Sequence, residues 1–379
     1  MPALAVALDV TPLVGPPTGI PNSIASTLAA IGSLATDGGA AEVRIVPYAL
    51  SLRARSHRDA LPPGTVFPPI PARLALAAWS HLERPTIDRW LGPARVLHAT
   101  NYLAPPSALP TLVTVHDCAF VRYPELCTPE VRALVPIVRR AVSRGATIHA
   151  PSRFVADEVA EIFGADLAAD GRIHVVPWGV PALVEPDPLE AATHELVSGG
   201  PYVLSLGTLE PRKNLPHLVS AFGRVAATLA DLRLVIAGPD GAATAAVERA
   251  IDALPATAAR RVIRTGPVTE ATKASLLSHA VALAYPSISE GFGFPVLEAM
   301  AASAPVIAAR AGSIPEVAGD AALLVDATDE DALAAAIQRI HDDDALRSEL
   351  ISLGHDRVAR FSWANTAAQL LTVYRRLAG

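Results

Sequence analysis

Ala282-Leu283-Ala284-Tyr285-Pro286-Ser287-Ile288-Ser289-Glu290-Gly291-Phe292-Gly293-Phe294-Pro295-Val296-Leu297-Glu298 is a short apolar run, a loop with two glycines and a second apolar run that opens on proline. The first run reads as a buried strand that ends at Tyr285-Pro286, because proline has no amide for the next rung of a ladder. Pro295 suits the first position of a helix, where a missing N–H costs nothing. Glu290 is therefore expected in the loop and Glu298 in the first helical turn. The segment Gly207-Thr208-Leu209-Glu210-Pro211-Arg212-Lys213-Asn214 has the same grammar: it follows the apolar run 202–206 and precedes a helical pattern.

Working outward, apolar runs at 202–206, 232–237, 261–264, 281–285, 304–308 and 322–325 alternate with helical spacing. The N-terminal half repeats this, with expected strands at 3–8, 43–46, 95–98, 111–115 and 172–176. Its expected helices span 22–35, 128–144 and 152–163, with Asn22, Thr128 and Ser152 as N-caps. Such alternation implies parallel sheets flanked by helices, an α/β chain. Pro177-Trp178-Gly179-Val180 and the Glu-Pro-Asp-Pro stretch after it break both periods, which places a linker within 177–201. We expect two doubly wound, Rossmann-like domains, 1–180 and 181–360, facing a central cleft, with a terminal helix in 361–379 crossing back to the first. Ligands of such folds sit at the carboxyl ends of the strands. The first loop, from Asp9 to Gly19, lacks the G-x-G-x-x-G fingerprint, so a dehydrogenase loses its main support.

The composition narrows the class further. A chain of 379 residues, 51% hydrophobic and 18% charged, suits two or three packed units at roughly 150 residues each. A formal charge of −6 leaves no basic excess for nucleic-acid phosphates, so nucleic acid is not an expected partner. Cys118 and Cys127 are too few to staple the fold and suit a reduced, cytoplasmic compartment. The first 41 residues carry only Asp9 and Asp37 as charged side chains, but Pro12, Pro16, Pro17 and Pro21 interrupt them and no basic segment precedes. They read as a buried strand and helix rather than a signal or spanning segment. Lys213 and Lys273 are the only two lysines among 31 basic residues. A lysine kept against such a bias invites a chemical explanation.

Amides around Gly291 to Gly293 and at Val296 and Leu297 would form an anion-binding helix start, since glycine permits close approach of a phosphate. Glu290 and Glu298 would then suit hydroxyl-rich groups such as ribose and sugar. Either carboxylate alone is explained by a helix dipole or by solvation. The joint pattern is harder to obtain by accident. Arg212 and Lys213, at another strand's carboxyl end, combine a bidentate fork with a point charge, which suits a diphosphate better than a merely solvated loop.

These stretches, together with Ala237-Gly238, Gly266-Pro267-Val268, Gly312-Ser313-Ile314-Pro315-Glu316-Val317 and Gly319 to Asp326, resemble retaining glycosyltransferases of the GT-B fold, family 4. The two glutamates separated by seven residues match that family's signature. The N-terminal half matches through Thr18-Gly19-Ile20 and Val115-His116-Asp117 only. The resemblance implies that Arg212 and Lys213 hold a donor diphosphate, that Glu298 meets the ribose and that Glu290 lies near the donor sugar. Gly207, Thr208, Ser289, Gly291, Phe292, Gly293, Val296 and Leu297 would line the donor site. The loop Thr265 to Val268, with Gly266, would border the base or be an ordinary connection. Gly19 would approach the diphosphate or make a plain tight turn. His116 would stand beside the transferred sugar, unless it is a satisfied core histidine. Trp178 stands where the family often has asparagine, and Thr18-Gly19 replaces a double glycine.

The same resemblance implies a front-face, metal-independent reaction with no cofactor beyond the nucleoside diphosphate sugar. GDP-mannose is favoured, by likeness to bacterial mannosyltransferases of surface-polysaccharide assembly, with UDP-glucose or another UDP-sugar next. A non-catalytic nucleotide-sugar binding protein is the alternative outside enzymes. No run of metal-ligand spacing is present. The loop Ser51 to Pro71 and the helix 128–144 would carry acceptor specificity for a glycan or lipid-linked acceptor. Arg53, Arg55, Arg58, Arg139, Arg140 and Arg144 would be a solvated face or a peripheral contact with the inner membrane face.

Overall fold

Each half of the chain satisfies its strands' backbone groups in one all-parallel sheet. A computed structural model describes residues 3–15, 19–36, 43–50, 53–181 and 198–379. The chain separates into two units, Met1–Gly179 with Phe361–Gly379, and Val180–Arg360. The first holds β1 (Leu4–Asp9), β2 (Val43–Tyr48), β3 (Val96–Ala99), β4 (Thr111–Thr114), β5 (Thr147–Ala150) and β6 (Ile173–Val175). Their order is β2-β1-β3-β4-β5-β6. The second holds β7 (Tyr202–Leu206), β8 (Arg233–Ala237), β9 (Val262–Gly266), β10 (Ala282–Tyr285), β11 (Val306–Ala309) and β12 (Ala322–Val325), ordered β12-β11-β10-β7-β8-β9. Both are doubly wound α/β sheets, as the alternation implied.

These orders fix where chemistry can occur. In the second unit the first strand, β7, lies beside the fourth, β10, so right-handed crossovers carry the chain from them to opposite faces. The loops after β7 and β10 diverge there and leave a crevice. Those are the two loops singled out from sequence. The helix Leu215–Val225 buries Leu218, Val219 and Phe222 against Leu234 and Ile236 of β8 and fixes the first loop's exit.

The first unit has an unusual polar thread through its sheet. The Val176 carbonyl must accept from His149 Nε2, at 2.9 Å, so His149 Nδ1 accepts from Thr114 Oγ1 at 3.0 Å. Thr114 in turn accepts from His98 Nε2 at 2.9 Å, and His98 Nδ1 accepts from the Tyr374 hydroxyl at 2.7 Å. Every proton is placed by the carbonyl at the end. Tyr374 belongs to the helix Trp363–Ala378, whose Ala367, Leu370, Leu371 and Val373 pack with Val6, Ile31, Val96 and Leu112.

Several elements differ in detail from expectation. The strand β5, Thr-Ile-His-Ala, was not expected because it lacks an apolar run; its His149 is fully buried only because the polar thread satisfies both ring nitrogens. The N-terminal helix begins at Gly19, not after Asn22, with Pro21 in its first turn where no intrahelical acceptor is needed. The stretch 128–144 divides into Pro129–Arg132 and Leu134–Ser143. Pro136 has no N–H for the Arg132 carbonyl, which accounts for the break. Thr128 stands at an N-cap without a side-chain hydrogen bond, whereas Ser152 accepts from the Val155 amide. The stretch Ser51 to Pro71 includes a 3-10 helix, Arg53–Ala60. The Glu-Pro-Asp-Pro part of the linker and Thr18 lie outside the described residues.

Candidate functional site

The loop after β7 tightens into a 3-10 turn, Pro211–Lys213, and Asn214 adopts left-handed φ of 55° to start the next helix. The loop after β10 is joined to it by the backbone: the Ile288 amide donates to the Arg212 carbonyl at 2.9 Å. Across this join Arg212 Nη1 donates to Glu290 Oε1 at 2.6 Å, and Lys213 Nζ donates to the same oxygen at 2.7 Å. Lys213 also donates to the Tyr285 hydroxyl, and its Nζ lies 4.3 Å from that ring's centroid. Residues 77 and 78 positions apart thus converge on a single carboxylate oxygen.

Burial alone would push the Glu290 carboxyl up, but Lys213 and Arg212 together outweigh it and hold it at about 2. Burial draws the Lys213 ammonium below its ordinary value, Glu290 opposes this, and Arg212 adds to it. Arg212 Nε also donates to Glu210 Oε2 at 3.0 Å, but Glu210 is 42% exposed and its charge is screened. Arg212 and Lys213 thus share one buried carboxylate, Glu290, while Glu210 reaches Arg212 from a more exposed position.

Glycines open the floor beside these charges. Gly207 follows β7, Gly238 follows β8 and Gly266 ends β9, and the Gly207 amide donates to Ala237 O while the Gly238 amide donates to Gly266 O, both at 2.9 Å. A Cβ on Gly238 would lie 2.2 Å from the Gly207 carbonyl oxygen, so no other residue fits without moving backbone. Thr208 continues this edge.

The helix Phe294–Ala301 places Pro295 second and Glu298 fifth, just beyond the first turn, with Gly293 as N-cap. The Val296 amide, expected as an anion donor, already donates to the Gly293 carbonyl at 3.1 Å. Phe292 and Phe294 meet edge to face at 5.2 Å. Ser289 is buried, and its carbonyl accepts from Arg212 at 3.4 Å. Leu297 is fully buried. Glu298 Oε1 accepts from Lys273 at 2.9 Å. Val268 lies between β9 and the helix Glu270–His279 that carries Lys273.

His116 and Gly19 belong to the other unit. Gly19 is the first residue of its helix. His116 Nε2 donates to the Thr100 carbonyl at 2.8 Å, its ring stacks on Trp178 at 5.9 Å, and Tyr102 meets its edge at 5.6 Å. Burial lowers its pKa to about 4, so the ring is neutral and Nδ1 carries the lone pair. Trp178 also touches His149 and Trp363. The expected basic surface is partly neutralised, since Arg140 and Arg144 both pair with Glu83.

Tyr285, Lys273 and Gly312 carry roles that sequence reasoning did not assign. Gly312 has φ of 60°, and a Cβ there would lie 2.5 Å from the Glu290 carbonyl oxygen. The Ser313 amide donates to that same carbonyl at 2.9 Å. The scarcity of lysine was the available signal for Lys273. Tyr285 and Gly312 had only their neighbourhood in the motifs. Among the described residues no cluster of three or more His, Cys, Asp or Glu residues could hold a metal ion, and no helix is long and apolar enough to cross a membrane.

Residues 188–357 match the family described as glycosyl transferases group 1, and residues 33–182 match Glycosyltransferase Family 4. The O-antigen chain mannosyltransferase B of Escherichia coli is 28% identical over 294 residues, covering 74% of each chain. A phosphatidyl-myo-inositol mannosyltransferase of Mycolicibacterium smegmatis is 32% identical over 184 residues, 48% of this chain and 46% of that protein. The D-inositol 3-phosphate glycosyltransferase of Acidothermus cellulolyticus is 31% identical over 285 residues, 70% of this chain and 62% of that one. The chain thus spans under half of the second relative and under two thirds of the third. Among solved structures, sucrose-phosphate synthase from Thermosynechococcus elongatus shares the fold with a TM-score of 0.74 at 20% identity, covering 99% of each chain. Anabaena HepE in complex with UDP and glucose does so with a TM-score of 0.73 at 17% identity, covering 98% of this chain and 100% of that one. With two doubly wound sheets, paired cations at a switch point and both halves matched, the chain belongs to the family 4 glycosyltransferases of the GT-B fold.

Proposed function

We propose that this glycosyltransferase moves a hexosyl group, mannose in preference, from a nucleoside diphosphate sugar to a hydroxyl of a glycan or lipid-linked acceptor, with retention at the anomeric carbon. The observation that carries the proposal is the convergence of Arg212 and Lys213 on Glu290 at the β7/β10 crevice. In the transition state the bond from C1 to the diphosphate oxygen breaks while the acceptor oxygen bonds C1 on the same face. The acceptor's proton passes to the departing diphosphate oxygen. Negative charge grows on the diphosphate, and Arg212 and Lys213 are the preorganised donors that stabilise it. Glu290 orients the sugar and stabilises the positive charge that develops at C1. Glu298 accepts from the ribose hydroxyls.

The likeness to the E. coli mannosyltransferase supports mannose and, with it, GDP as the leaving group. A panel of nucleoside diphosphate sugars, followed by GDP or UDP release with and without acceptor alcohols, tests this. GDP release from GDP-mannose above all others is expected; release of UDP alone replaces mannose with a UDP-sugar, and binding without any release leaves a non-catalytic binder. Two cations on the diphosphate also make a divalent ion unnecessary, so turnover is expected to survive chelation. Loss of turnover in chelator, restored by magnesium or manganese, would refute metal independence. The reading places the reaction in cell-surface polysaccharide or glycolipid synthesis at the cytoplasmic side. Peripheral contact with the inner membrane face is a separate part of it, tested by flotation with anionic liposomes, where no binding at low salt removes it.

A further inference from the structure

The two lysines of this chain each end on one of the two signature glutamates: Lys213 on Glu290 and Lys273 on Glu298, at 2.7 and 2.9 Å. The first pair was foreshadowed by a motif; the second was not. Lys273 sits on the helix Glu270–His279, which follows directly on the loop through Gly266 and Val268. Thr269 caps this helix by accepting from the Thr272 amide at 3.1 Å, which fixes the helix start one turn before Lys273. Lys273 Nζ bridges two carboxylates, Glu298 Oε1 and Glu270 Oε2, the latter at 2.7 Å. The two ends differ in setting: Glu298 is 9% exposed and Glu270 52%. The inner contact is therefore the constrained one, and the outer glutamate anchors the lysine from solvent.

We infer that Lys273 is a positioning residue for recognition of the nucleotide ribose: it holds Glu298 in one rotamer, so that the carboxylate accepts from the ribose hydroxyls. This rests on the reading that Glu298 meets the ribose. An ammonium is a point donor, and by occupying Oε1 it fixes the plane of the carboxyl group and the direction of Oε2. A glutamate has three rotatable bonds, and without that contact their freedom must be lost when the nucleotide binds. With Oε1 already taken by Lys273, a nucleotide lacking the hydroxyls withholds the donors that Oε2 would accept from. The same helix thus joins the loop expected to border the base to the group expected to read the sugar. Burial works against the charge on Lys273, but Glu298 and Glu270 together raise its pKa, so the ammonium stays charged.

The test compares affinities of the full chain for GDP and 2′,3′-dideoxy-GDP, with UDP and 2′,3′-dideoxy-UDP measured in parallel, in the native protein and in Lys273→Met, Lys273→Arg and Glu298→Gln. The native protein is expected to favour the ribose form by about tenfold or more. Lys273→Met is expected to reduce that preference to about twofold, Lys273→Arg to keep most of it, and Glu298→Gln to abolish it. Should Lys273→Met fold poorly, Lys273→Leu replaces it with another side chain that has no donor, and the same loss is expected. A Lys273→Met protein that binds both nucleotides more weakly by the same factor, its ribose preference intact, overturns the inference, provided Glu298→Gln abolishes the preference. If Glu298→Gln itself leaves the preference unchanged, the ribose reading of Glu298 fails and this inference falls with it.

Discussion

Glu290 Oε1 accepts from Arg212 and Lys213 at once, so the carboxylate and a donor diphosphate compete for the same two cations. Replacing Glu290 with glutamine removes the competitor. Glu290→Gln is expected to bind GDP or inorganic pyrophosphate several-fold more tightly while transfer falls by about a hundredfold or more. Calorimetry beside an assay of sugar transfer checks both halves, and weaker diphosphate binding would show that the cations point elsewhere. Arg212 is the cleaner cation to remove, because its side chain is 28% exposed and Lys213 is only 10% exposed. Arg212→Ala should lower turnover about a hundredfold with little change in melting temperature. Lys213→Met should in addition lower the melting temperature, since it removes the more buried cation together with its hydrogen bonds to Glu290 and the Tyr285 hydroxyl. Equal melting temperatures for the two variants would contradict the difference in burial. Much of this site was legible beforehand, because Arg212, Lys213 and Glu290 stand beside glycines and prolines that betray loops at strand ends. Lys273 was noticed but not placed, since its partner lies 25 residues away and no local pattern joins them.

Among the elements, the turn after β11 does most to hold Glu290 in place. Gly312 combines a φ of 60° with a hypothetical Cβ only 2.5 and 2.7 Å from the oxygen and nitrogen of Glu290's backbone. Gly312→Ala must move one loop or the other, because neither backbone can yield locally, and the strained φ adds about 1–3 kcal/mol. We expect at least tenfold lower turnover with secondary structure intact by circular dichroism; unchanged turnover would mean that the loop after β11 does not hold Glu290. Strands with continuous apolar runs, such as Ala282–Tyr285 and Ala322–Val325, were readable from the sequence. Thr147–Ala150 was not, since its histidine is tolerated only through partners on β4 and at Val176. Helix starts were misplaced where a proline sits inside a first turn, as Pro21 does, and one helix proved to be two because Pro136 withholds a single amide.

At the scale of the molecule, the buried histidines of the first unit couple its stability to pH. Burial lowers His116 to about 4 and His149 to about 3, and it holds His98 well below its ordinary value. Unfolded, each takes up a proton near pH 6.5, so their contribution is complete above that pH. It declines as pH falls toward the folded values, by about 1.4 kcal/mol per pH unit for each group. Asp9 acts in the opposite sense: burial raises it to about 6 despite its bonds to Thr11, so acid relieves rather than strains it. Burial also lowers His174 and raises Glu158, and Arg122 lowers Glu161, so the groups that lose stability in acid outnumber Asp9 and Glu158, and urea midpoints of the first unit's transition are expected to fall from pH 6.5 to pH 4.5. A midpoint that holds constant or rises across that interval would contradict the polar thread as described. The terminal helix expected in 361–379 to cross back to the first domain lies within Phe361–Gly379, which belongs with the first unit and packs there around Tyr374. The most direct test of the whole account is a crystal structure of the protein with GDP bound. The expected result has the diphosphate oxygens within hydrogen-bond distance of the Arg212 guanidinium and Lys213 Nζ at the carboxyl ends of β7 and β10; a diphosphate seated away from both cations would contradict it.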